Sequence, residues 1–221
     1  MRERPELLVV IPAFKQHAVF QDDLVKKLAG RSLIERAIDR AKSIETPSQS
    51  IVLFTDSDEI SLIGERNNVT PIYQILEGYS VSESVKNLLS SAHNVGKGVA
   101  SILVLSPYAP LITKVELRNA FDKFASLGVE VLKSVRHEKR DLFKEIPQTI
   151  DELLLGTQDQ RVVLNSQAFT FFKYDLLARG RSHTTDIVPW VVPENMVEIE
   201  TLQDWWVSEK LLQRKRIVFR V

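Results

Sequence analysis

A chain of 221 residues is long enough to bury a substantial core as one large domain or two small ones. Its 29 basic and 29 acidic side chains cancel, so global charge draws it to neither a nucleic-acid duplex nor an anionic membrane, and phosphate chemistry must rest on a local cluster. The absence of cysteine excludes disulfides, thiolate metal sites and a cysteine nucleophile. The opening run, Leu7 to Ile11, is too short and too soon met by Pro12 for a signal peptide or a membrane span, so a soluble, cytoplasmic protein is expected.

In chain order, Leu7 to Ile11 reads as a strand buried on both faces and ended by Pro12. After a loop from Phe14 to Lys27, the period changes: Leu33, Ile34, Ala37, Ile38 and Ala41 share one helical stripe, and Ser32 with Glu35 forms a capping box. Ile51 to Phe54 is a second strand and Ile60 to Arg66 a helix. Val69 to Leu76 is extended, and Ser82 to His93 is an amphipathic helix. Ala100 to Leu105 is a central strand, Val115 to Leu127 a helix closed by Gly128, and Val129 to Ser134 a further strand. Residues 136–160 lack a sustained period and are expected to form a β-rich excursion, a candidate dimerisation arm. Regularity returns at Val162 to Phe172, Val191 and Val192, Val197 to Ile199, a helix from Leu202 to Leu212 and a last strand, Ile217 to Val221. Strands alternating with amphipathic helices predict a single α/β domain with three layers and a mainly parallel sheet. Ligands of such sheets bind where the first strand's carboxyl end opens into its loop, here Phe14 to Lys27.

Four separated stretches point to one family. Ile11-Pro12-Ala13, fourteen residues, then LAGRSLIERAI from Leu28 resembles the opening of the acylneuraminate (CMP-sialic acid) cytidylyltransferases, whose pattern is IPA, a glycine-rich basic loop and LAGKPLI. Ser106-Pro107-Tyr108-Ala109-Pro110-Leu111 is similar to that family's Gln-Pro-Thr-Ser-Pro-Leu, and Asn165 to Leu177 to its NGAIYIF segment. Glu198-Ile199-Glu200-Thr201-Leu202-Gln203-Asp204-Trp205 resembles Asp-Ile-Asp-Thr-Pro-Glu-Asp-Trp, with glutamates at both metal-binding aspartates. The resemblance implies a Rossmann-like nucleotide-diphosphosugar transferase fold. It also implies Mg²⁺-dependent transfer of CMP from CTP to a nonulosonate-type keto sugar acid, with release of pyrophosphate, for surface polysaccharide or glycan synthesis and usually by a dimer.

Carried onto this chain, the resemblance makes Lys15 and Lys26 the catalytic cations and Glu198 and Glu200 the Mg²⁺ ligands. It puts Pro12, Ala13, Phe14, Lys27 and Arg31 against the nucleotide from the first loop, and Ser106, Pro107, Tyr108 and Asn165 from the later segments. The loop also departs from the pattern: Phe14 stands where the arginine is expected, Lys15 and Gln16 replace paired glycines, and Asp23-Leu24 replaces a lysine-asparagine pair. No glycine lies between Phe14 and Lys27. Two readings of the loop's charges stay open. Lys15, His17, Lys26 and Lys27 can meet phosphate, or Asp22 with Lys26 and Asp23 with Lys27 can stabilise a solvated helical turn by a few tenths of a kcal/mol per pair. Glu198 and Glu200, two apart on an extended segment, would face the same way, as ligands of one ion or as a solvent-facing strand.

Of the other polar clusters, Asp56-Ser57-Asp58 has the form of a glycosyltransferase metal motif but follows the wrong strand, and reads as a helix cap. Asp204 and Trp205 read as cap and packing for the last helix. Ser182 to Asp186 holds hydrolase residue types without a nucleophile elbow. The alternatives to cytidylyl transfer are a catalytically degenerate binding or assembly module, and a nucleotidyltransferase for another sugar or base.

Overall fold

The computed structural model describes residues 7–15, 19–44, 46, 49–73, 99–140, 160–178 and 184–218. At its centre is β1 (Leu7–Ala13), whose side chains pack on both faces of a seven-stranded sheet. Leu7, Val9 and Ile11 join one cluster, while Leu8 and Val10 join another. This is the signature of a central strand in a sheet covered on both sides.

Parallel neighbours flank β1: β4 (Gln49–Thr55) on one side and β6 (Ser101–Leu105) on the other. Beyond β4 lies β5 (Thr70–Tyr73), also parallel. On the other half, β8 (Gln160–Lys173) runs antiparallel to both β6 and β7 (Val131–Arg140), and β9 (Ile187–Val191) closes the edge parallel to β7. The order is β5-β4-β1-β6-β8-β7-β9, with β8 the antiparallel member. The mainly parallel α/β sheet expected from the sequence is the one observed.

Two strand ends differ from expectation. β1 continues through Pro12 to Ala13, each paired with β4. Its ladder with β6 stops at Val10, so a residue without an N–H is tolerated beyond that point. The expected last strand is not formed either: Ile217 and Val218 end the terminal helix, and 219–221 lie outside the described residues. Hydrophobic composition alone does not distinguish a buried strand from the last turn of a helix.

Local signals held where capping was legible. A two-residue turn at Ala29 and Gly30, both with positive φ (48° and 85°), joins β2 (Lys27–Leu28) to β3 (Arg31–Ser32). Ser32 then caps α1 (Leu33–Ala41): its Oγ accepts from the Glu35 N–H, and Glu35 Oε2 accepts from the Ser32 N–H. The same box, Thr113 with Glu116, starts α3 (Lys114–Leu127), and Gly128 ends it at φ 68°, in the left-handed region. Between them, α2 (Asp58–Arg66) starts after Ser57 without a side-chain cap, contrary to the expectation for Asp56-Ser57-Asp58. Ser57 instead donates its N–H to Thr55 Oγ1, and Asp56 is used elsewhere.

α1 and α3 cover one face of the sheet through Ile34, Ala37, Ile38, Leu117, Ala120, Phe121 and Phe124. The smaller cluster on the opposite face holds Phe14, Val52, Phe54 and Ile102. The helix expected at Ser82 to His93 and most of the expected dimerisation arm, 141–159, lie outside the described residues. The arm's bases are regular: β7 and β8 stay paired out to Arg140 and Gln160. A short α4 (Tyr174–Ala178) follows β8, and α5 (Leu202–Val218) ends the described chain. No helix among the described residues is long and apolar enough to cross a membrane.

Candidate active site

The carboxyl ends of β1, β4 and β6 open side by side, where the strand order reverses about β1. In open α/β sheets this is the ordinary place for a ligand. Four segments are tied together there.

The first is the loop after β1. Phe14 is 2% exposed and packs edge-to-face on Phe54 with centroids 5.0 Å apart, so it belongs to the core and not to a nucleotide-contacting surface. A side chain of that apolar area is worth about 1.5–3 kcal/mol buried, which decides its direction. Lys15 follows on the edge. Its N–H donates to Asp56 Oδ1 at 2.7 Å, and its ammonium donates to Glu59 Oε2 at 2.8 Å and Asp22 Oδ1 at 3.2 Å. These carboxylates, Glu59 foremost, raise its pKa above the ordinary lysine value.

The turn expected at residues 22–26 forms, with the Lys26 N–H reaching the Asp22 carbonyl at 2.8 Å, but its ion pairs are not the ones anticipated. Asp22 pairs with Lys15, and Asp23 is fully buried. Asp23 Oδ2 accepts the Val19 N–H at 2.6 Å and Oδ1 accepts the Tyr108 hydroxyl at 3.2 Å. Burial outweighs these bonds and raises the Asp23 pKa. Lys26 and Lys27 remain exposed, Lys26 with its ammonium 5.5 Å from the Phe20 ring centroid. Phe20 in turn packs edge-to-face on Trp205 of α5, which pins the loop to the last helix.

The second segment follows β6. Pro107 is buried; Ser106 sends its N–H to the Ala168 carbonyl of β8 and accepts the Tyr108 N–H on Oγ. Tyr108 is the junction of the site: its carbonyl accepts the Ile199 N–H at 2.8 Å while its hydroxyl holds Asp23. Burial first, then the Asp23 charge, pushes the phenol's pKa well above its ordinary value, so Tyr108 stays a donor. From below, buried Arg40 of α1 donates to the Ala109 carbonyl, and burial lowers its pKa to about 10.

The third segment is a bulge in β8. Lys133 and Val135 of β7 face Thr170 and Asn165, so the stretch between those two residues loops out of register. Ser134 fixes it by donating to the carbonyls of Phe169 and Ser166 at 2.8 and 3.2 Å while accepting the Phe169 N–H. Asn165 is exposed at the bulge's start and Ser166 is buried.

The fourth segment carries the two glutamates, which diverge. Glu198 is 9% exposed and takes a hydrogen bond from the Ser166 hydroxyl on Oε1 and the Gln167 N–H on both oxygens. It braces the bulge. Glu200 is exposed, and its N–H is held by Asp204 Oδ2, which also binds Thr201. The expected common facing is lost because Val197 to Ile199 is not a strand. Asp204 and Trp205 cap and pack α5, as the sequence suggested. Among the described residues no group of three or more metal-ligating side chains comes together. Of the two glutamates, Glu200 alone leaves an exposed carboxylate, and Mg²⁺ is ordinarily held through one or two carboxylates.

Arg31 is taken up by Asp39 on the outer side of α1, and Thr184 and Asp186 tie the start of β7 through Glu130. His17, Ser182 and His183 lie outside the described residues. Glu59 and Ser166 were not singled out in the sequence, and Asp56 was read only as part of a helix cap. No local pattern marks the contacts they make, because each meets its partner from more than thirty positions away.

No family model matches the sequence, and comparison with curated proteins gives no significant match. Solved structures do align over nearly the whole chain. A CMP:2-keto-3-deoxy-manno-octonic acid synthetase complexed with CTP superposes with a TM-score of 0.70 at 10% identity, covering 95% of this chain and 99% of that one. The two share one fold. A 4-diphosphocytidyl-2C-methyl-D-erythritol synthase gives 0.66 at 12%, covering 96% of this chain and 100% of its own. A Bacillus anthracis structure assigned as a glucose-1-phosphate thymidylyltransferase gives 0.65 at 8%, covering 93% and 94%. At such identities the likeness defines the architecture.

Proposed function

We propose that the chain is a nucleotidyltransferase that moves a cytidylyl group from CTP to a hydroxyl of a keto sugar acid and releases pyrophosphate. One observation supports it most: Tyr108 joins the β1 loop, the β6 loop and the segment bearing Glu200 at the sheet edge, in a fold shared with a synthetase complexed with CTP. The sugar oxygen would form a bond to the α-phosphorus as the bond to pyrophosphate breaks. Lys15, Lys26 and Lys27 would supply the cations for the triphosphate, and Tyr108 and Asp23 hold the loop that carries them. Mg²⁺, held by Glu200, would neutralise charge developing on the leaving phosphates. A single domain, a homodimer and a cytoplasmic location belong to the same reading.

A second reading, a non-catalytic binding module, is favoured by the state of the loop: Phe14 is in the core, Lys15 is held by carboxylates and Asp23 is buried. Pyrophosphate release separates the two. Release from CTP with a keto sugar acid and Mg²⁺ supports the enzyme; nucleotide binding without release supports the module. Release only from UTP, GTP or ATP keeps the enzyme and replaces the base.

A further inference from the structure

The Lys15 ammonium sits where a phosphate-binding cation is wanted, yet it is bonded to two carboxylates from different elements. Asp22 lies in the loop itself, at a left-handed φ of 60°, and Glu59 lies in the first turn of α2. The Lys15 N–H, a donor of the kind that could meet a phosphate, is bonded to a third carboxylate, Asp56. Three acidic oxygens therefore occupy the ammonium and the N–H of one residue. We propose that Asp22 and Glu59 stand in for phosphate oxygens on Lys15, so that nucleotide binds by exchanging those two carboxylates for its own.

The inference rests on the nucleotide-binding reading above. Exchange is feasible because the ion pairs are exposed: the side chains retain 38% exposure at Lys15, 49% at Asp22 and 56% at Glu59. Exposed pairs contribute little, and a metal-bound triphosphate offers more charge than either carboxylate. Glu59 also has somewhere to go, since the amino end of α2 favours a negative charge whether or not Lys15 is attached. The arrangement occupies the donors of Lys15 in the resting state without the glycines that would let backbone amides close on phosphate.

The test is a double-mutant cycle read by isothermal titration of CTP with Mg²⁺. Four proteins are compared: the native chain, Asp22→Asn/Glu59→Gln, Lys15→Met, and all three substitutions together. The polar replacements keep size and leave the folded loop intact, which circular dichroism verifies. The expected result is that Asp22→Asn/Glu59→Gln tightens CTP binding roughly three- to ten-fold when Lys15 is present, the scale of two exposed ion pairs. In the Lys15→Met background the same pair should give a clearly smaller gain, from relief of repulsion alone. Equal gains in both backgrounds, or none with Lys15 present, overturn the exchange while leaving nucleotide binding intact. No binding by any of the four overturns the exchange and the nucleotide reading together.

Discussion

The hydroxyl of Tyr108 donates to Asp23 Oδ1 at 3.2 Å across 85 positions of sequence, and this bond fastens the β1 loop to the β6 loop. Asp23 is fully buried, so losing the donor leaves a carboxylate with less to offset its desolvation. Tyr108→Phe should lower stability by about 1–3 kcal/mol in urea unfolding and weaken nucleotide binding at the same time. An unchanged midpoint would show that the bond does not organise the loop.

Asp23 also sets a pH dependence of unusual sign. Its folded pKa is raised, with burial the largest cause, so the native state holds the proton more tightly than the unfolded chain. Its contribution to stability is then fully present below the unfolded value and is lost as pH rises through the raised folded value. In Asp23→Asn this component disappears. Urea midpoints measured from pH 4 upward should fall more steeply for the native chain than for the variant across the weakly acidic range.

The two glutamates should part company. Glu198 holds Ser166 and Gln167, so Glu198→Ala should cost about 2–3 kcal/mol of stability by stranding those donors. Glu200 is exposed, and Glu200→Ala should leave the unfolding curve within about 0.5 kcal/mol while lowering CTP turnover and its response to Mg²⁺. Lys15→Ala should likewise lower turnover. Unchanged kinetics for both would remove the site assignment.

Gly128 offers a pure backbone test. A methyl group there would meet nothing within 4 Å, yet φ is 68°. Gly128→Ala should therefore cost about 1 kcal/mol through conformation alone, and Gly128→Asn less, since asparagine tolerates the left-handed region.

What could be read from the sequence was local. The box Ser32 with Glu35, the stop at Gly128 and the apolar runs of β1, β4 and β6 each depend on a few neighbouring residues, and they sufficed for a mainly parallel α/β sheet. The antiparallel β8 and its bulge were not legible, because register there is set by Ser134 reaching across the sheet. At the site, Tyr108 and Lys15 came from the family resemblance, which marks the stretches after β6 and β1 but not the partners these side chains take. The side chain of Phe14 was misplaced because a motif position says nothing of the Phe54 ring waiting in the core. Glu198 was misread for a similar reason. Its spacing from Glu200 suggested a shared ligand, whereas Ser166 and Gln167, brought in by the bulge, had already claimed it.

The central claim is that a nucleoside triphosphate lies over the carboxyl edge of β1, β4 and β6. A crystal structure determined with CTP and Mg²⁺ tests this most directly. The account predicts phosphate oxygens on the Lys15 ammonium, with Asp22 and Glu59 released and the Tyr108 hydroxyl still on Asp23. Nucleotide bound elsewhere, or an edge left unchanged at saturating CTP with Lys15 still between its two carboxylates, would contradict it.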